Sequence, residues 1–331
     1  MAIEHNLRPS RSESSLSDAV SGSLRVGWSE RSSRPANRPE GPASRRALAG
    51  LGRLVGVLVD PWMLLPTPAL LEQPMFAPLR AWLGQQAPAD DGGLAPGQLA
   101  LQALDAVGEG NQGLVSGWYA PEGVAASNDQ VAASVRDSDG RLGLVASVDL
   151  RRPVEAVAEL RRAVHEHGAR GLRIQPWAWG LPPNDRLFYP LLSACVELGI
   201  PFLTQVGHAG PLRASEPGRP IPYLDQVALD FPELTIVGGH IGAPWTEEMI
   251  SLARKYDRVH ICTSAYTAHR YPPELVAYLR SRGGRRKVIF GSGFPALAPS
   301  RALERLDDLG LDDEARELFL AGNARRVFDL D

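Results

Sequence analysis

The sequence predicts an α/β chain closed into a (β/α)8 barrel, a TIM barrel, with a disordered N-terminal tail and a C-terminal helical extension. Three observations carry that expectation. Short strand-like runs alternate with helical patterns eight times between Leu54 and Leu330, a length that suits such a barrel. The runs are mostly apolar on both faces, as in a parallel sheet covered by helices. No Gly-rich phosphate turn follows the first run, where Asp60-Pro61-Trp62-Met63 stands instead, and this weighs against a doubly wound open sheet.

The elements follow in order. The strand-like runs are residues 54–59, 113–118, 142–148, 171–175, 201–205, 234–239, 259–263 and 287–291. Helical patterns fill the intervals at 97–107, 128–136, 154–167, 187–198, 222–230, 247–255, 273–281 and 301–309. The third helix places Val154, Val157, Leu160 and Val164 on one face, the spacing of an amphipathic helix. Residues 312–321 and 323–330 read as a two-helix tail that Gly322 divides. Before the barrel, residues 1–47 are dominated by Ser, Arg, Pro and Glu, as in Arg31-Ser32-Ser33-Arg34-Pro35. Such a segment buries too little apolar surface to offset its ordering entropy, so disorder is expected. The barrel domain is accordingly assigned to 48–331.

Composition excludes several partners. A net charge of -3 gives no electrostatic reason to bind nucleic acid. No apolar run approaches the length of a membrane span. Arg45-Arg46 sits ahead of an apolar stretch, as in a twin-arginine export signal, but Arg53 interrupts that stretch and Asp60 closes it. Cys195 and Cys262, in apolar surroundings and without CxxC spacing, read as reduced core residues of a cytoplasmic protein.

A barrel keeps its chemistry at the carboxyl ends of its strands. Reading those ends gives Asp60 and Trp62, Trp118, Asp149, Arg173 and Gln175, Gln205 and His208, His240, Ser264 and Tyr266, then Ser292 and Gly293. The set is rich in hydrogen-bonding and aromatic groups and poor in metal ligands. The most informative stretch is Val237-Gly238-Gly239-His240-Ile241-Gly242-Ala243-Pro244-Trp245, a buried strand ending on a histidine and breaking into Gly and Pro.

Several segments together resemble the amidohydrolase-related family, which includes aminocarboxymuconate-semialdehyde decarboxylase and related metal-dependent hydrolases. The resemblance rests on Gly171-Leu172-Arg173-Ile174-Gln175-Pro176, on Phe231-Pro232-Glu233-Leu234 with Gly239-His240-Ile241-Gly242, on Val288-Ile289-Phe290-Gly291-Ser292, and on Gly322-Asn323-Ala324-Arg325-Arg326. It implies a TIM barrel, hydrolysis or decarboxylation of a small carboxylated molecule, and a divalent zinc or manganese ion. It also implies an Asp-x-His-x-His start on strand one, a histidine on strand five and an aspartate after strand eight. This chain has Trp62 and Leu64, Gln205 and Gly293 at those positions, and only His240 of the ligand set remains. Metal sites need three or more converging donors, so no metal ligand set is expected.

Each candidate has a structural reading beside the functional one. His240 is either a core histidine or the general acid/base, with Gln205 as a neutral polarising donor and His208 on a Gly-flanked loop at the same face. Arg173 either pairs with Asp149 or holds a substrate carboxylate in its guanidinium fork. Gln175, Trp177, Tyr266 and Trp62 are the remaining candidate substrate contacts, and the tryptophans could equally be packing. Two function classes stay open. One is an enzyme acting on a small carboxylated molecule, and the other is a non-catalytic barrel that binds a small ligand or serves as a structural or regulatory partner of an active relative. In either class a small-molecule ligand is the expected partner, with a homo-oligomer or pairing with an active paralogue open.

Overall fold

The structure is a computed structural model that describes residues 57–73, 77 and 93–330. The tail expected over 1–47 and the start of the run expected at 54–59 lie outside the described residues. Among the described residues, eight parallel strands form the barrel: β1 (Val59–Leu64), β2 (Gln112–Ser116), β3 (Leu142–Val145), β4 (Leu172–Ile174), β5 (Phe202–Gln205), β6 (Ile236–Gly239), β7 (Val259–Cys262) and β8 (Val288–Ile289). Strand β1 pairs with β2 and β2 with β3. The bridge Ala146–Leu172 joins β3 to β4, and β4 through β8 pair in sequence. The circle closes between the ends of β8 and β1, where Gly293 N donates to Trp62 O (3.0 Å) and Leu64 N to Phe294 O (2.8 Å).

The first strand lies five residues later than its apolar run suggests. Pro61 is the reason. It has no N–H for a ladder, so it reads as a strand breaker, yet it sits where the β1–β2 register shifts between Asp60 and Met63. Asp60 and Trp62 are therefore inside a fully buried strand and not in a loop after one. A short antiparallel hairpin, Trp118–Ala120 with Gly123–Ala126, leaves the barrel after β2. It was not expected from the sequence.

The outer helices keep their amphipathic logic. Asn128–Arg136 starts at Ser127, whose hydroxyl accepts from Gln130 N (3.2 Å) while Gln130 Oε1 accepts from Ser127 N (2.8 Å). Pro153–His167 buries Ala156, Leu160 and Ala163, whereas Val154, expected on that face, stands in the first turn at 85% exposure. The C-terminal segments Asp313–Glu317 and Asn323–Phe328 are joined through a wide turn at Leu318–Gly322. Gly322 keeps helical angles (φ -57, ψ -41), so it does not divide the tail as expected.

Inside the barrel, Val59, Leu114, Val145, Leu203, Val237, Cys262 and Ile289 pack with Trp62 in one buried cluster. Ala321, Ala324 and Phe328 of the C-terminal helices belong to it too. Asn323 Nδ2 donates to Val288 O (2.8 Å) and Arg285 O (2.7 Å). Arg170 Nη1, just before β4, donates to Asp329 O (3.0 Å). The extension thus plugs the amino-terminal face, and the opposite mouth is left for the site.

Candidate functional site

The carboxyl ends of β4 through β8 surround one cavity of about 90 Å³. His240, Gln205, His208, Arg173, Gln175, Trp177 and Tyr266 all line it. These are seven of the eight residues singled out from the sequence. The eighth, Trp62, lies beneath the floor at 0% exposure, its ring T-shaped against His240 with centroids 5.6 Å apart. Leu64, Trp118 and Ala265 add apolar wall, and Trp118 packs against Trp177 at 5.7 Å. The volume is below the ~150 Å³ of an apolar cavity that takes up benzene, so a compact group fits and the rest of a ligand must reach out through the mouth.

His240 is held by its own backbone turn. It and Ile241 have positive φ (67° and 54°), a conformation rare for a β-branched residue such as Ile241. His240 N donates to Ser264 Oγ (3.1 Å), and Nδ1 lies 2.9 Å from Ser264 O. A carbonyl only accepts, so Nδ1 carries the hydrogen and Nε2 keeps its lone pair. Burial, with the nearby Arg173 charge, pushes the imidazole down to about 4 against the opposing pull of the Ser264 carbonyl bond. At neutral pH it is a base.

Arg173 is braced. Nη1 donates to Met63 O (3.1 Å) and Ser116 Oγ (3.2 Å). With the Gln175 amide oriented oxygen-inward, Oε1 accepts from Arg173 Nε (2.9 Å) and Nη2 (3.2 Å). The guanidinium lies 4.5 Å over the Trp62 ring, a cation–π arrangement. Four of its five N–H groups are thus engaged by neutral acceptors. Asp149, weighed as its partner, belongs instead to Arg151, whose Nε and Nη2 both reach that carboxylate (2.9 and 2.6 Å). Burial lowers Arg173 to about 9, partly offset by the Cys262 thiol and the Asp60 carboxyl, and it remains a cation.

Gln205 differs from expectation. Its Nε2 donates to Gly207 O (2.7 Å) and His208 O (3.1 Å), so both amide hydrogens serve the loop. The buried Oε1 has no partner among the described residues. The amide is thus committed to the loop, with Oε1 against Gly218, and is no polarising donor for a ligand. His208 is exposed at the rim; its Nδ1 is 3.3 Å from Ala243 O and 3.5 Å from the Tyr266 hydroxyl. Asp60 Oδ1 accepts from Ser292 N and Trp62 N (both 3.1 Å), tying β1 to the end of β8, and burial raises its pKa. Two residues complete the arrangement: Ser264, read among the strand ends without a role, which fixes the His240 tautomer through its backbone carbonyl, and Ser116, missed there, which braces Arg173. Neither a backbone carbonyl nor a lone strand serine leaves a motif in a single sequence.

The divalent ion implied by the family has no donor set here. Among the described residues, no three His, Cys, Asp or Glu side chains come together to hold a metal. Trp62 fills the space between β1, β6 and β8, and a cation stands on its face. Gly293 has φ +85, and a Cβ there would lie 2.9 Å from Ala265 N, so the aspartate position cannot be refilled without moving backbone. These residues do not fit the metal.

The chain belongs to the amidohydrolase family, whose model matches residues 61–330. Its fold is shared with an uncharacterized TIM-barrel protein from Bordetella bronchiseptica (24% identity, TM-score 0.72, 83% of this chain and 99% of that one). It is also similar to 5-carboxyvanillate decarboxylase from Sphingomonas paucimobilis (18% identity, TM-score 0.58, 83% and 99%). A third similar structure is a dihydroxybenzoic acid decarboxylase from Polaromonas sp. JS666 with bound manganese and the inhibitor 2-nitroresorcinol (15% identity, TM-score 0.60, 83% and 98%). At these identities the likeness is one of fold.

Proposed function

We propose that this barrel binds a small ring-bearing carboxylic acid at its carboxyl-face mouth and acts on it by proton transfer through His240. The observation that carries the reading is the convergence of a buried guanidinium and a neutral imidazole with a free Nε2 on one apolar-walled cavity. The carboxylate is drawn to the Arg173 charge. Trp177, Trp118 and Tyr266 flank the ring, and His208 meets the part that emerges. Gln175 and Trp62 serve by holding Arg173. The decarboxylase names of the similar structures agree with a carboxylated aromatic.

Two reactions suit a neutral base at this point. In hydrolysis, Nε2 takes a proton from water as its oxygen attacks an ester or amide carbon, and returns it to the departing group. In decarboxylation, the C–CO2 bond breaks, CO2 leaves, and the carbon takes up a proton. That proton requires a protonated His240, which a carboxylate bound beside it would favour by raising its pKa. One well-placed histidine contributes roughly 10²–10⁴-fold. The committed amide of Gln205 favours a second reading, in which the barrel binds such a ligand without turning it over.

The test is a panel of benzoates, hydroxybenzoates and their amides and esters, followed by thermal shift and by NMR of the reaction mixture. On the catalytic reading, His240→Gln keeps the ligand-induced shift and loses product formation by about 10²-fold or more. Equal product, or none, from wild type and variant removes His240 from catalysis. A shift with no product from the wild type leaves the binding reading.

A further inference from the structure

We propose that Arg173, stacked on Trp62, takes the place of the divalent metal in this barrel as its fixed positive charge, so that an organic carboxylate is held here without any metal ion. The inference rests on the reading above that the mouth binds a small carboxylate, and it says what replaces the lost centre.

Space comes first. Trp62 occupies one of the positions where the family places a metal-binding histidine, and its indole fills the volume between β1, β6 and β8. The neighbouring strands are shaped to admit it. A Cβ on Gly239 would lie 2.4 Å from the indole, and one on Gly291 would lie 3.0 Å from Trp62 Cβ. Any side chain at Gly239 would collide with the ring itself. The indole is a built component of the floor.

Charge follows. The guanidinium carbon sits 4.5 Å above that indole, and Arg173 is only 4% exposed. Its acceptors Met63 O, Ser116 Oγ and Gln175 Oε1 are all neutral, and the Asp149 carboxylate is bound by Arg151. The nearby Asp60 carboxyl, which makes no hydrogen bond to the guanidinium, is pushed toward its protonated form by burial. A full positive charge therefore faces the cavity at a fixed point, with one Nη2–H left to donate. A metal ion in such a site supplies the same two things: an immobile positive charge and an open position for an oxygen. The three anchoring residues come from β1, β2 and the end of β4, which holds the guanidinium as rigidly as a ligand set holds a metal. A divalent cation placed against His240 Nε2 would meet this guanidinium, with a neutral amide at Gln205 and no side chain at Gly293.

The experiment uses the full chain, dialysed against EDTA and checked for residual metal by mass spectrometry. Benzoate and 2,6-dihydroxybenzoate are titrated by calorimetry in the presence of EDTA, and again with manganese or zinc added. The expected result is the same Kd within about twofold in all conditions, at least tenfold weaker binding in Arg173→Gln, and a smaller loss in Arg173→Lys, which keeps the charge without the fork. Because Arg173→Gln also removes a brace, its melting curve is recorded beside the titration; if it does not fold, the chelator comparison on wild type and the Arg173→Lys titration decide. Binding that appears only with manganese or zinc overturns the metal-free site and leaves the carboxylate reading standing. Unchanged affinity in folded Arg173→Gln overturns Arg173 as the anchor. No binding of either acid under any condition overturns both.

Discussion

At the scale of single residues, Trp62 and Arg173 show what one sequence reveals and what it hides. Tryptophan at a position where the resemblance implies a histidine was legible, and it gave the expectation of an incomplete metal ligand set. The stack with Arg173 was not, because it depends on which face of β4 the arginine occupies and on the β1 register. Both readings of Arg173 weighed from the sequence assumed a carboxylate partner; the structure gives it carbonyl, hydroxyl and amide oxygens. His240 was legible by position, but its tautomer was not, since Ser264 arrives from the next strand. The energetic consequence is direct. Trp62→Ala would leave an indole-sized hole in the barrel interior and strip Arg173 of its platform, and should cost about 3–5 kcal/mol in denaturant unfolding. A loss below about 1 kcal/mol would mean that the indole is not the packed floor described above.

At the scale of elements, strands recognised by apolar runs were found where expected for β2 to β8, within a few residues. Pro61 shifted β1, because a proline that breaks a regular ladder is tolerated at a register irregularity, and single-sequence patterning cannot see the partner strand. The hairpin between Trp118 and Ala126 escaped notice for a related reason: its strands are too short to show a period. The β6 terminus is where strand and site constrain each other. Gly239 is required by the indole, so Gly239→Ala should destabilise by about 1–3 kcal/mol through overpacking. Combining it with Trp62→Leu should recover part of that, because the two changes act on one volume; coupling of about 0.5–3 kcal/mol is the expected range for touching sites. Strict additivity in the double-mutant cycle would show that Gly239 answers to something other than Trp62.

At the scale of the whole molecule, the alternation of eight strands and helices was enough to name the barrel, because closure demands no special residue beyond that repeat. What the pattern could not show is that the barrel keeps two histidines neutral inside it. Burial, with the charges of Lys287 and Arg326, pushes His260 down to about 3, and burial with Arg173 pushes His240 down to about 4. Both folded values lie below the ordinary histidine value of about 6.5. Between those limits the unfolded chain binds protons that the folded chain refuses, so stability rises with pH across the window. It is fully present above about pH 6.5 and drains away as pH falls toward 4. Each such histidine contributes a slope of about 1.4 kcal/mol per pH unit once the unfolded side chain is protonated. Carboxylates with lowered values, such as Asp129 and Asp225, lose their share only below the ordinary carboxylate range. Asp60, whose value burial raises, works in the opposite sense above that range, because it keeps its proton in the folded barrel and loses it in the unfolded chain. Across the interval from pH 6 to pH 5 the histidine share is therefore read as the difference between wild type and a histidine variant, in which the Asp60 contribution cancels. In urea unfolding, His260→Leu should reduce the loss of stability across it by about one histidine slope, about 1.4 kcal/mol per pH unit, relative to wild type. A His260→Leu curve with the same pH dependence as wild type would show that this imidazole already takes up a proton in the folded barrel.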